Sequence, residues 1–297
     1  MNYENILRQT IDLHVHVGPE IIPRKFDIKE LANFEKGKLR GVAVKNHFFP
    51  AILPYSEQSK DFLVVSSIVL NVFQGGWNPD IIRAAKISAG GPIVVWFPTI
   101  SASSFVRDAN SFIPQEWLGD REIKCKTLFS NSLNIRGKKK NTIDEKVILV
   151  LKAIKECGAV LATGHLSWRE SLRLIAAAQK IGIKKIIITH PIYQRIAMPI
   201  FIQKKLAEQG AFIESCYSMY SIDKIPIKLI AKQIKTIGAR RCILSSDVGQ
   251  KFSLSPSEAL RDFMYLLSKN GITEDELYQM LVINPSYLVE TGQPVAG

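Results

Sequence analysis

Residues 159–190 read AVLATGHLSWRESLRLIAAAQKIGIKKIIITH, and this stretch decides the fold. Ala159–His165 is a short apolar run ending on a histidine, and Lys185–His190, rich in isoleucine, ends the same way. Between them Ser167 opens a segment with Glu170 three positions on, the reciprocal cap of a helix start, and Gly182 closes it. Strand, helix and strand in so short a span make a crossover unit with parallel strands, because antiparallel neighbours need only a tight turn.

The same alternation extends in both directions. Ile11–His16, Gly41–His47, Val64–Asn71, Ile93–Pro98, Ala211–Cys216 and Cys242–Asp247 bring the strand candidates to eight. Helix signals separate them. Asp27 with Glu30 forms a capping box, Asn78-Pro79-Asp80 places proline at a first helical position, and Thr142–Glu156 has helical periodicity. Met198–Gln209, Lys224–Ile237 and Pro256–Lys269 each run up to a glycine, and Glu274–Val282 follows the Thr273 cap. Only Ala51–Lys60 is poor in helix signal. Eight strands in so regular an alternation fit a closed (β/α)8 TIM barrel better than an open sheet. No linker or composition shift interrupts residues 1–297, so one barrel domain is expected. Its long insertion, Thr99–Asn141, follows strand four. It carries Gly119-Asp120-Arg121 and an alternating Ile123–Phe129 run, and it would stand at the strand C-terminal face, where barrels build their sites.

Composition narrows the partners. The formal net charge is +12, yet lysine and arginine are dispersed, and the densest run, Arg136–Lys140, reads as a solvated loop. No nucleic-acid module with stacked aromatics is present, so the basic balance points to a small anionic substrate rather than nucleic acid. No apolar run reaches the roughly 18 residues of a membrane span. The four cysteines lack metal-site or disulfide spacing, and the polar opening Met1–Thr10 has no leader pattern, so reduced thiols and a cytoplasmic location are expected. A homo-oligomer remains open.

The five histidines carry the chemistry, because every one falls at the C-terminal end of a predicted strand. His14 and His16 end the first, His47 the second, His165 the fifth and His190 the sixth, while Asp247 ends the eighth. In a barrel these ends converge. Asp12, His14 and His16 alternate and are expected on one strand face. Imidazole nitrogens with one carboxylate around an open position are the ligands of a catalytic zinc-type site.

Asp12-Leu13-His14-Val15-His16, Thr163-Gly164-His165, Thr189-His190-Pro191 and Ser246-Asp247 together resemble the amidohydrolase superfamily of metal-dependent barrel hydrolases. Asn284-Pro285-Ser286 resembles the segment that closes those barrels, and Asp12–Pro19 with Lys45-Asn46-His47 resembles an uncharacterised amidohydrolase-related group. The resemblance covers essentially the whole chain in strand order. It implies a divalent metal, zinc in the first instance, on His14, His16, His165 and Asp247, and His190 as general acid or base. Asp247 would share a proton with a metal-activated water, and Asp12 would orient a ligand histidine. Strand four, Ile93–Pro98, has no carboxylated lysine or glutamate of the kind that bridges two metals. One ion is therefore expected, with two as the alternative if Lys45 bridges from strand two.

Around this centre, Lys45 and His47 share a face as a cationic clamp or an acid; alternatively Lys45 pairs with a carboxylate such as Glu214. Arg24, on the loop after strand one, is a candidate for a substrate carboxylate or a plain surface arginine. The activity implied is hydrolysis of a C–N or ester bond in a small anionic molecule. Non-oxidative decarboxylation on the same scaffold and a phosphoesterase of the histidinol-phosphatase type compete with it, as does a non-catalytic barrel that binds an anion.

Overall fold

The computed structural model describes residues 2–108, 131–139 and 142–290. Eight parallel strands follow one another in sheet order: β1 Ile11–His16, β2 Gly41–Lys45, β3 Leu63–Val69, β4 Ile93–Trp96, β5 Val160–Ala162, β6 Ile186–Ile188, β7 Phe212–Cys216 and β8 Cys242–Ser245. Every neighbouring pair from β1 to β8 is parallel. The sheet closes through a parallel bridge between Val15 and Val248, with the His16 amide donating to the Val248 carbonyl at 2.8 Å. This is the (β/α)8 barrel expected from the alternation.

Two apolar layers explain why these sequences fold so. Ile11, Leu13, Val94, Trp96, Ile187, Phe212 and Ile243 belong to the cluster filling the barrel. Val15, Val44, Val95, Leu161, Ile213 and Leu244 belong to the cluster between strands and helices. Strands buried on both faces read as continuous β-branched runs, as they do here. The expected caps are present: Asp27 and Ser167 complete capping boxes for Ile28–Glu35 and Trp168–Ile181, and Pro79 opens Pro79–Ala89. Pro256–Lys269 has the expected bounds, and Ala51–Lys60 holds only a single 3-10 turn, Tyr55–Glu57.

Several elements differ from the sequence reading. A helix, Tyr3–Gln9, precedes β1, and another, Tyr217–Ser221, follows β7 at once. The last helical stretch is not uniform: Glu274–Tyr278 passes into a π-helical turn, Gln279–Ile283, before Asn284–Val289. Asn284 secures the barrel floor, its amide donating to the carbonyls of Ala239 and Cys242 at 2.8 and 2.6 Å, while Leu288 and Val289 plug the interior cluster. After β4, a helix at Ser103–Asp108 and the bridges Ala102 to Leu133 and Arg136 to Ile143 mark the two ends of the long insertion. Gly119-Asp120-Arg121 and the Ile123–Phe129 run lie outside the described residues. Among those described, no helix is long and apolar enough to cross a membrane.

Several strands end sooner than expected, and that matters for the site. β2 stops at Lys45, β5 at Ala162, β6 at Ile188 and β8 at Ser245. His47, His165, His190 and Asp247 therefore stand just beyond strand ends, on the turns that leave the barrel.

Candidate metal centre

β1 supplies the first two histidines, though not by simple alternation. Its pairing with β2 shifts register between Asp12 and Val15. Ile11 and Leu13 thus join the interior cluster, yet Val15 joins the outer one. Asp12 does not share the face of His14 and His16. Its Oδ1 accepts the backbone amides of His14 at 3.1 Å and Ser246 at 3.0 Å, so the side chain stands in for the ladder where β8 has ended. Burial pushes its carboxyl up to about 7. Asp12 latches β8 to β1, and the carboxylate on the His14 ring is a different one.

That carboxylate is Glu214 of β7. It follows Phe212 by two positions and so faces the barrel interior. Its Oε1 and Oε2 lie 3.2 and 3.3 Å from His14 Nδ1. A charged residue in the apolar run Ala211–Cys216 was the legible signal for it. On the other side of the ring, His14 Nε2 lies 2.9 Å from Lys45 Nζ and 3.0 Å from Asp247 Oδ1. The same Asp247 oxygen is 3.0 Å from His16 Nε2. Ser218 donates to the other, Oδ2, at 2.6 Å. Asp247 reaches this position with φ at 51°, a left-handed conformation that aspartate tolerates better than most residues.

Proton placement follows from the partners. A carboxylate only accepts, so His14 carries a proton on Nδ1 toward Glu214, while its Nε2 stands between a donor, Lys45 Nζ, and an acceptor, Asp247 Oδ1. His16 is the reverse. Arg24 Nη2 lies 3.2 Å from His16 Nδ1, and a guanidinium only donates, so the His16 proton sits on Nε2 and is given to Asp247. Ligation through His16 Nε2 requires that proton to leave and Arg24 to release Nδ1.

Arg24 is neither an exposed arginine nor a free one. Its side chain is 2% exposed and pairs with Glu20, whose side chain is fully buried. The second Glu20 oxygen accepts the His47 amide at 2.9 Å. The His47 ring stacks near His16, with centroids 4.7 Å apart, and its Nδ1 lies 2.9 Å from Thr99 Oγ1. Burial first, then the charges of His16, Lys45 and Arg24, hold the His47 ring well below the ordinary imidazole range. It is a neutral ring, so the clamp read from Lys45 and His47 contains only one cation. Lys45 is itself fully buried, 4.3 Å from the Trp96 ring. Burial lowers its pKa, and the carboxylates of Asp247 and Glu214 act against that.

His165 and His190 form the opposite wall. Thr163 and Thr189 cross-link the ends of β5 and β6, with the Thr189 amide donating to Thr163 Oγ1 and the Gly164 amide to Thr189 Oγ1, both at 3.0 Å. Gly164 is required there: it has φ of 60°, and a Cβ would meet the Phe97 carbonyl oxygen at 2.2 Å. This close approach lets the His165 amide donate to Pro98 at 2.9 Å. The His165 ring lies 5.2 Å from His190 and 5.1 Å from Phe105, whereas the tight cluster contains His14, His16 and Asp247. Both His165 and His190 have a buried Nδ1 with no hydrogen-bond partner among the described residues. Burial lowers the His190 pKa to about 4, leaving it neutral near pH 7. Tyr193 stands edge-on to His190 at 5.5 Å, and Arg195 stacks on Phe105 at 4.3 Å. Sequence reading passed over both.

The sequence of residues 9–214 matches the model of a family of unknown function, DUF6282, over more than half of the chain. The chain belongs to DUF6282. No curated protein matches it by sequence. By structure the DUF6282 barrel is similar to a protein from Agrobacterium tumefaciens in its apo form, at TM-score 0.55 and 12% identity, over 96% of this chain and 97% of that one. It is similar also to an amidohydrolase from Mycoplasma synoviae, at TM-score 0.52 and 13% identity, over 97% and 89%. A Xaa-Pro dipeptidase with methionine in its active site aligns at TM-score 0.53 and 12% identity, over 95% and 75%. At these identities the likeness is one of fold. The DUF6282 match holds His14, His16, Lys45, His47, His165, His190 and Glu214, and stops short of Asp247.

The residues fit a divalent ion. His14 Nε2 and Asp247 Oδ1 are both acceptors, yet they stand 3.0 Å apart in a buried site. Two acceptors approach so closely only around a cation or a proton. Zinc bonded to nitrogen and oxygen at about 2.0–2.2 Å would put its ligand atoms about 3.3 Å apart, near the spacing within this cluster. The protonic solution is visible in His14, whose pKa is raised: burial opposes it, but Asp247 and Glu214 prevail over Lys45.

Proposed function

We propose that this barrel is a metal-dependent hydrolase of the amidohydrolase type, acting on a C–N or ester bond of a small anionic molecule in the cytoplasm. The observation that carries the reading is the approach of His14 Nε2 and His16 Nε2 to one oxygen of Asp247 at a barrel mouth. In the proposal one zinc ion per chain is held by His14, His16 and Asp247, with His165 as the fourth ligand. Such an ion would supply acidification of a water and polarisation of the bond to be cleaved.

The chain's own residues do the rest. Ser218 fixes Asp247 Oδ2, leaving Oδ1 for the centre. His190, neutral near pH 7, accepts or returns a proton at the leaving group, with Tyr193 holding its ring from the side. Lys45, at the foot of the site, supplies positive charge toward an anionic group, in keeping with the net charge of +12. Arg24 is bound to Glu20 and, without an ion, donates to His16, so it is held within the site instead of reading substrate.

The test is a screen of zinc-reconstituted protein against amides, lactones, aminated heterocycles, carboxylated aromatics and phosphate monoesters. Turnover of an amide or ester is expected, abolished by chelation and cut by roughly 10²–10⁴-fold in His190→Asn with the ion retained. Turnover indifferent to chelation would refute the metal role. Carbon dioxide or phosphate release without hydrolysis of amides or esters would replace the bond class.

A further inference from the structure

We propose that Glu214 is the positioning residue of this centre, its carboxylate holding the His14 ring and the His190 backbone together from β7. The role assigned to His14 as a ligand rests on the function proposed above; the placement of its proton does not. Three contacts carry the inference. Both Glu214 oxygens lie within 3.3 Å of His14 Nδ1, and Oε2 also accepts the His190 amide at 3.3 Å. One side chain thus ties the first histidine of β1 to the turn after β6. His190 stands there at φ 20°, and its ring lies nearly parallel to that of His14 at 5.8 Å.

A carboxylate inside a barrel is costly unless it is paired. An apolar residue of similar volume is often as stabilising, and Phe212 on the same strand face shows the interior accepts one. The described partners of Glu214 all belong to this site. Ligating histidines donate their second ring N–H to a carboxylate, which fixes the tautomer and raises the basicity of the ligating nitrogen. Glu214 stands where that acceptor must be, opposite Asp247 across the His14 ring. The competing arrangement makes Glu214 a ligand itself, with His14 Nδ1 and Cys216 Sγ, which lie 3.9 Å apart. The ring cannot present Nδ1 and Nε2 to one ion, so that arrangement and the His14–His16–Asp247 cluster exclude each other as mononuclear sites.

Glu214→Gln, Glu214→Ala and Cys216→Ala test it with zinc alone, titrated against a competing chelator, and with ring 15N shifts of the metal-free protein recorded above the His14 titration. Both Glu214 variants are expected to bind zinc 10–100-fold more weakly at unchanged saturating stoichiometry, with Cys216→Ala near wild type. The wild-type His14 proton is expected on Nδ1 and is released from that preference in Glu214→Ala. The near-isosteric Glu214→Gln carries the test if the alanine variant does not fold. Lower thermal stability with unchanged zinc affinity would leave Glu214 a structural residue and overturn the proposal. So would a wild-type His14 proton on Nε2, or loss of zinc in both Glu214→Ala and Cys216→Ala. Should wild type bind no zinc, the metal reading fails alone and the 15N shifts still decide Glu214.

Discussion

Replacing Glu20 and Arg24 singly and together measures how strongly the two are coupled. The pair is buried on both sides, at 0% and 2% side-chain exposure, and the Arg24 guanidinium also reaches His16 Nδ1. Burial pushes the Glu20 carboxyl up even with that guanidinium beside it, so little net stabilisation is expected from the pair itself. Breaking it is another matter. Glu20→Gln leaves a buried guanidinium without counter-charge, and Arg24→Met leaves a buried carboxylate; each should cost about 3–5 kcal/mol. For a chain of this size that is a fall in Tm of about 5–8 °C. The double variant removes both charges, while the side-chain carbonyl introduced by Glu20→Gln still accepts from the His47 amide. It should therefore be more stable than either single variant, with a coupling of about 3 kcal/mol. Chemical denaturation of the four proteins, followed by circular dichroism, gives the cycle. Additive losses would refute the buried pairing of Arg24 with Glu20.

Further expectations follow from single positions. His190 has its pKa lowered to about 4, against about 6.5 in an unfolded chain, so the unfolded state binds the extra proton between those values. Stability is lost as pH falls through that window, and the chelated wild type should lose about 3 kcal/mol relative to His190→Asn from pH 7 to 4; a pH-independent difference would contradict the buried neutral ring. Gly164→Ala must place a Cβ 2.2 Å from a backbone oxygen at a left-handed φ, and should cost more than about 4 kcal/mol with loss of zinc affinity as His165 shifts. A melting temperature within a few degrees of wild type would show that the turn relaxes.

Much of this was legible before any coordinates. The βαβ reading of residues 159–190 survives in β5, Trp168–Ile181 and β6, because capping boxes and double-faced strands are local signals. The placement of the histidines was legible too, since strand ends in a barrel converge whatever the loops do. What could not be read was which groups touch. The register shift in β1 breaks the alternation that put Asp12 beside His14, and no sequence period marks a bulge. Glu214, Asp247 and Arg24 were visible as residues, but not their partners: Glu214 meets His14 200 residues away, Asp247 meets His16 231 residues away, and Arg24 pairs with Glu20 four residues back along an irregular loop. The helix after β7, which brings Ser218 to Asp247, is only five residues long and has no side-chain cap to announce it.

Metal content decides whether His14, His16 and Asp247 hold an ion. Wild type and Asp247→Asn are stripped with chelator, reloaded with zinc, desalted and assayed by elemental analysis, with circular dichroism on the same samples. About one ion per chain is expected in wild type and none in a folded Asp247→Asn, since the asparagine amide is a poor zinc ligand. Wild type that retains no ion, or an Asp247→Asn protein that retains as much as wild type, would contradict that assignment.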